Sequence, residues 1–219
     1  MIGGIKVKVC GLTSAGDAMA AVATGADHLG FNFYPKSPRG ISVEHYLGLA
    51  PGLPRTKKVA VCVEPTPVEL ARFLDAGFDF VQVHFNAAEP PSHLAAWSRA
   101  VGAKRLWLAP KLPPGTGLKA EWLRLADTIL LDAFDAGKFG GTGRTGDWEM
   151  FRQLQAAHPD RAWILAGGLN PENVAAAVAA TGARWIDVNS GVESSPGVKD
   201  HAKLSALKAA LDRARTDHP

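Results

Sequence analysis

Cysteine is scarce in this chain. Two residues, Cys10 and Cys62, are all that 219 positions hold, and neither belongs to a Cys-X-X-Cys pair or a Cys/His cluster. That argues against a disulfide framework and against a zinc site. The seven histidines are scattered without metal-ligand spacing, so no structural metal is expected. A dominant charge is lacking too: 24 basic against 21 acidic residues leave a net +3, with no Lys/Arg run long enough to track a nucleic-acid backbone. Nucleic acid is therefore not an expected partner, whereas an anionic small molecule suits the modest basic balance. No apolar run approaches the length that spans a bilayer, and Met1-Ile2-Gly3-Gly4-Ile5-Lys6 lacks a signal-peptide core. The expectation is a cytoplasmic protein with no membrane partner. Domain linkers, internal duplications and low-complexity tracts are likewise missing, so residues 1–219 read as a single domain.

What is present is a rhythm. Short apolar runs rich in Val, Ile, Leu or Trp occur at Lys6 to Cys10, His28 to Phe33, Val59 to Val63 and Phe80 to His84. Four more follow at Arg105 to Leu108, Thr128 to Asp132, Ala162 to Ala166 and Trp185 to Asn189. Bounded by polar or glycine residues, they read as strands. Between them lie helical segments such as Ser14 to Thr24, Pro67 to Ala76, Pro91 to Val101 and Pro171 to Thr181. Ser14 is a candidate N-cap, with Asp17 in the first turn and Gly25 where a left-handed cap is needed. Asn170-Pro171 repeats the pattern as cap and first helical residue, with Gly182 at the far end. Eight strands alternating with helices predict a single α/β domain, an eight-stranded parallel βα barrel of the TIM type. An open doubly wound sheet gives the same alternation. It would ordinarily carry a dinucleotide fingerprint after its first strand, where this chain has Cys10-Gly11-Leu12-Thr13.

Function in such a barrel comes from the carboxyl ends of the strands. Asp132 ends the sixth, and Gly140-Gly141-Thr142-Gly143 follows it, a stretch whose backbone N–H groups can form an anion nest. A lone Gly-Gly-X-Gly is more often a flexible loop. Here, however, Ala166-Gly167-Gly168-Leu169 and Asn189-Ser190-Gly191-Val192-Glu193 follow the next two strands, and together the three loops favour a small phosphorylated substrate. Cys10 ends the first strand with Lys8 on the same side, and an ammonium near a thiol favours the thiolate, a base or nucleophile. Taken alone, Cys10 reads more readily as a small buried hydrophobe. Arg39, on the proline-stiffened loop Tyr34-Pro35-Lys36-Ser37-Pro38-Arg39, suits bidentate capture of a carboxylate or phosphate, and equally a solvated surface. Gln82 and His84 share a face of the fourth strand, where they need partners or satisfy each other.

These residues resemble the phosphoribosylanthranilate isomerase family of tryptophan biosynthesis. The resemblance rests on Lys8-Val9-Cys10-Gly11-Leu12-Thr13, Ser37-Pro38-Arg39, Val81-Gln82-Val83-His84, Leu131-Asp132 with Gly140-Gly141-Thr142-Gly143, and Gly167-Gly168-Leu169-Asn170-Pro171. Asp187-Val188-Asn189-Ser190-Gly191-Val192-Glu193 and Pro196-Gly197-Val198-Lys199-Asp200 complete it in the same order. It implies an enzyme, monomeric or homodimeric, that converts N-(5-phosphoribosyl)anthranilate to 1-(2-carboxyphenylamino)-1-deoxyribulose 5-phosphate without a cofactor. Cys10 aligns with the general base, Asp132 with the general acid and Arg39 with the group holding the anthranilate carboxylate. Gly141, Thr142, Gly143, Gly167, Gly168, Asn189, Ser190 and Gly191 fall at the phosphate, and Lys8, Gln82, His84 and Asp187 in supporting places. Lys8 and Asp187 are expected to pair inside the barrel, because its first and eighth strands are neighbours.

Three departures stand out. His84-Phe85-Asn86-Ala87-Ala88-Glu89 is longer than the family's fourth loop and lacks its glycine, Asn189 stands where serine is common, and Val61-Cys62-Val63-Glu64 lacks the usual phenylalanine. Two rival functions fit a similar barrel. A related isomerase of histidine biosynthesis employs two aspartates, against which Cys10 argues; a silent phosphate-binding barrel requires neither Cys10 nor Asp132.

Overall fold

The computed structural model describes residues 1–113, 116–132 and 147–216. Eight parallel strands close into a barrel in chain order: β1 (Lys6–Val9), β2 (His28–Asn32), β3 (Lys57–Val63), β4 (Phe80–Asn86), β5 (Leu106–Lys111), β6 (Thr128–Leu131), β7 (Ala162–Leu165) and β8 (Trp185–Val188). Closure is made by β1 and β8, with Lys8 opposite Asp187. The helices are α1 (Ala15–Ala23), α2 (Val43–Leu49), α3 (Pro67–Asp75), α4 (Leu94–Val101), α5 (Ala120–Leu123), α6 (Trp148–Ala157), α7 (Val174–Thr181) and α8 (His201–Thr216). A short antiparallel hairpin, β9 (Glu193–Ser195) and β10 (Val198–Lys199), lies between β8 and α8.

The helix punctuation follows the sequence closely at α1. The Ser14 side chain accepts a hydrogen bond from the Asp17 N–H at 3.1 Å, and Gly25 takes φ 103° just past the end. At α7 the end is as expected, with Gly182 left-handed, but the start is not. Pro171 to Asn173 form a turn and the helix begins at Val174, because Asn170 Oδ1 accepts from the N–H groups of both Glu172 and Asn173. That ties the chain into an Asx-type turn before the helix can start. The fourth helix also starts later than Pro91, at Leu94. β4 runs past His84 to Asn86, and that residue's N–H donates to Glu64 Oε1 at 3.2 Å. The unusual fourth loop thus begins as an extension of the strand.

A strand of a closed barrel is buried on both faces, which is why these runs are continuously apolar. Outward residues such as Val7, Leu29, Val83 and Ile186 pack under the helices, while Val59, Val61, Trp107, Leu130, Ile164 and Trp185 form a second cluster inside the barrel. Toward the amino ends of the strands the interior is closed by rings: His28 lies 4.7 Å from Trp185 and 5.4 Å from Trp107, and Phe80 lies 4.9 Å from Trp107. Lys6 Nζ sits 5.0 Å over the Trp185 ring. This plug leaves the opposite mouth for the ligand.

Burial pushes His28 down to about 4, with Lys8 and Lys6 adding to the effect and Asp27 opposing it. Its Nδ1 finds no hydrogen-bond partner among the described residues, so a second ring N–H would have nothing to bond to. The unfolded chain therefore takes up a proton at His28 near the ordinary 6.5, and the folded chain only near 4. The stability tied to neutral His28 is complete above pH 6.5 and is lost as the pH falls through 4, on the order of 3 kcal/mol in full. His28→Phe should unfold in urea with a shallower decline between pH 7 and pH 4 than wild type. Parallel declines would show that His28 does not carry this effect.

Candidate active site

The carboxyl ends of the strands surround a cavity of about 380 Å³, within the range of small-ligand sites. Its walls come from Cys10 after β1, Asn32 and the loop from Tyr34 to Arg39 after β2, Val61 and Val63 on β3, and Gln82 and His84 on β4. Asp132 after β6, Ala166 to Leu169 after β7, and Asp187, Asn189 and Ser190 at β8 complete it. Seven separate connections thus converge on one space. Cys10, Asp132 and Arg39, far apart in the chain, share that cavity.

Lys8 lies just beneath, fully buried, with Nζ donating to Asp187 Oδ2 at 2.8 Å, so the expected pair is formed. Burial works against both charges. At Lys8 the attraction of Asp187 and Cys10 more than offsets it and the ammonium is held above its ordinary range, whereas at Asp187 burial outweighs Lys8 and pushes the carboxyl up. The ion pair is the form that both the short contact and the shift at Lys8 favour.

The thiol corrects one expectation. Burial pushes Cys10 up, while Lys8 and Lys199 pull it down by less and Asp187 adds to the rise. Lys8 does not leave Cys10 as a resting thiolate, because the ammonium is shared with Asp187 and the thiol is buried. The cysteine rests as a thiol and must lose its proton before it can act as a base.

Arg39 is not a solvated arginine. It is 8% exposed, and its Nε donates to Glu193 Oε1 and Oε2 at 2.9 and 3.0 Å while Nη2 donates to Oε2 at 2.7 Å. Glu193 in turn accepts from Lys199 Nζ at 2.8 Å, and Lys199 also reaches Asn189 Oδ1 at 3.0 Å. Burial opposes the Glu193 charge, but Arg39 and Lys199 outweigh it and hold the carboxyl below its ordinary range. Glu193 and Lys199 stand within the two carboxyl-terminal motifs of the sequence, which assign neither of them a role. The signal lay in their pairing: Glu193 stands opposite Lys199 in the β9–β10 hairpin.

Gln82 Nε2 and His84 Nε2 lie 2.7 Å apart, so the two pair through these atoms, and burial lowers His84 to about 3. A neutral imidazole accepts the amide proton. Gln82 Oε1 has no partner among the described residues and belongs to a cavity-lining side chain.

Of the glycine loops, Gly167 and Gly168 line the cavity with φ 95° and 63°, conformations that favour glycine. Gly191 does not line it; it backs onto the β7 loop so closely that a Cβ there would stand 2.0 Å from the Leu169 carbonyl oxygen. Asn189 and Ser190 lie at the start of the three-residue 3₁₀ turn Ser190–Val192. Gly140, Gly141, Thr142 and Gly143 lie outside the described residues.

Residues 7–209 match the family model described as N-(5'phosphoribosyl)anthranilate (PRA) isomerase. The chain belongs to this family. It is 40% identical over 216 residues to the N-(5'-phosphoribosyl)anthranilate isomerase of Magnetococcus marinus, covering 96% of this chain and 97% of that one. The solved phosphoribosyl anthranilate isomerase of Thermus thermophilus superposes with a TM-score of 0.78 at 34% identity, over 95% of this chain and 99% of that one. Another solved phosphoribosyl anthranilate isomerase, in complex with reduced 1-(o-carboxyphenylamino)-1-deoxyribulose 5-phosphate, gives 0.72 at 31% identity, over 95% and 99%. The cavity brings together a thiol, a carboxyl group and a guanidinium from the segments after β1, β6 and β2, with Gly167 and Gly168 after β7. No described helix is long and apolar enough to cross a membrane.

Proposed function

We infer that this chain, as a single barrel domain and either a monomer or a homodimer, isomerises N-(5'-phosphoribosyl)anthranilate to 1-(2-carboxyphenylamino)-1-deoxyribulose 5-phosphate in tryptophan biosynthesis. A cytoplasmic enzyme acting without a cofactor or metal fits this reading. The observation that carries it is the placement of Cys10 and Asp132 in one cavity, on the ends of β1 and β6, strands that are not neighbours in the barrel. The reaction needs one acid and one base separated by the width of a sugar.

In this reading Asp132, as the carboxylic acid, gives its proton to the ribose ring oxygen, and the C1–O bond breaks to leave a protonated Schiff base. Cys10, as the thiolate, then removes the C2 proton, and the electron pair moves to form an enolamine. Protonation at C1, with loss of the C2 hydroxyl proton, gives the ketone. Arg39 holds the anthranilate carboxylate, and Lys8 eases the loss of the Cys10 proton. Backbone N–H groups at Gly167, Gly168, Asn189 and Ser190, with Gly141 to Gly143, hold the phosphate. Gln82 and His84 support the sugar side of the cavity.

Loss of phosphoribosylanthranilate fluorescence on adding the purified protein tests the assignment directly. Absence of turnover, or turnover of only the histidine-pathway phosphoribosyl amine, would overturn it. Arg39→Ala should raise KM by roughly tenfold or more, the effect of losing a charge-assisted contact already made in the ground state. An unchanged KM would remove Arg39 from the carboxylate.

A further inference from the structure

Arg39 alone does not explain how its site stays both folded and attractive to a carboxylate. A buried guanidinium needs a counter-charge, and Glu193 supplies one along the edge made by Nε and Nη2. A one-to-one pair, however, is neutral and has little left to draw a second carboxylate. Lys199 changes the balance. Its Nζ lies within hydrogen-bond reach of three acceptors, Glu193 Oε1 at 2.8 Å, Asn189 Oδ1 at 3.0 Å and the Asn189 carbonyl oxygen at 3.5 Å, which takes the three N–H groups of an ammonium. Arg39, Glu193 and Lys199 together then carry one net positive charge, on a group whose Nη1 is not used by Glu193.

The placement is built into the fold. The β9–β10 register sets Glu193 opposite Lys199, the Gly197 N–H adds a bond to Glu193 Oε1 at 3.2 Å, and the Lys199 N–H is tied to Asp17 Oδ2 on α1 at 3.1 Å. On the other flank a Cβ at Gly11 would stand 2.8 Å from Arg39 Cδ and 2.6 Å from Asn189 Oδ1, so glycine there lets the arginine stem and Asn189 close over Cys10's loop. We propose that Glu193 and Lys199 are positioning residues, Glu193 aiming Arg39 and Lys199 keeping the cluster cationic, and that together they set the enzyme's preference for an aryl amine bearing an ortho carboxylate. This rests on the reading of Arg39 given above.

The test compares kcat/KM for phosphoribosylanthranilate with that for the phosphoribosyl adduct of aniline, which lacks the carboxylate. Wild type should prefer the former, and Arg39→Ala should abolish most of that preference. If either fails, the carboxylate role of Arg39 is wrong and the proposal falls with it. Given that preference, Glu193→Gln and Lys199→Met should each reduce the ratio of the two kcat/KM values by roughly tenfold, the size of one weakened charge-assisted hydrogen bond. Lys199→Arg should restore part of it. Equal losses on both substrates would mark a merely structural brace, and no change in the ratio would do the same; either overturns the proposal while leaving the assigned reaction intact. Should Glu193→Gln fail to fold, Lys199→Met, which leaves Glu193 on Arg39, decides the matter alone.

Discussion

Cys10→Ser will lower kcat for phosphoribosylanthranilate by at least about 10² to 10⁴, the usual worth of a positioned acid or base, with little change in KM. Serine keeps the size and the N–H bond of residue 10 to the Val188 carbonyl, so the barrel closes as before. What changes is the proton affinity of the group: the thiol is already pushed up by burial, and a hydroxyl in its place is out of reach as a base. Asp132→Asn will do the same at the other proton, because an amide keeps the shape and cannot protonate the ring oxygen. The two effects should not multiply fully in the double variant, since both groups serve one reaction coordinate. Stopped-time assays of the three proteins decide the point, with circular dichroism to confirm folding. Near wild-type turnover by either single variant would show that the mechanism is wrong, whatever family the chain belongs to.

The parts of this site that were readable in the sequence share a physical cause. Strands buried on both faces write themselves as apolar runs, and the residue that ends such a run is placed at the mouth of the barrel; Cys10 and Asp132 are found that way. Lys8 and Asp187 are legible for a similar reason, as charges at alternating positions inside closed strands with no other place to go. The Arg39 cluster was not legible in full, because nothing local distinguishes a solvated Glu193 or Lys199 from a buried one; the difference lies in where the hairpin folds back. The direction of the Cys10 shift was missed for a different reason. Spacing shows the ammonium beside the thiol but not the burial of both, and burial is the larger effect. The late start of α7 followed from Asn170 capping a turn in place of the helix itself.

Lys8→Met will test how much of the fold hangs on the pair at the centre of the barrel. The substitution keeps the length of the side chain but leaves Asp187, 9% exposed and with Oδ1 already unpartnered among the described residues, without its counter-ion. Removing one partner of a buried pair typically costs about 3 to 5 kcal/mol, because the other charge is stranded. Asp187 can limit that cost by taking a proton, and burial already pushes it that way. The sign of the pH dependence follows. The folded carboxyl then binds its proton more tightly than the unfolded one, so the deficit is absent below the unfolded value near 3.8 and grows until the pH passes the raised folded value. Combining Lys8→Met with Asp187→Leu removes both charges and should recover most of the stability in urea unfolding at neutral pH. It should not recover activity, since Cys10 would still lack the ammonium that eases loss of its proton. A single variant that loses less than about 1 kcal/mol, or a double variant no more stable than the single, would mean that the pair is not what balances Asp187 in the core.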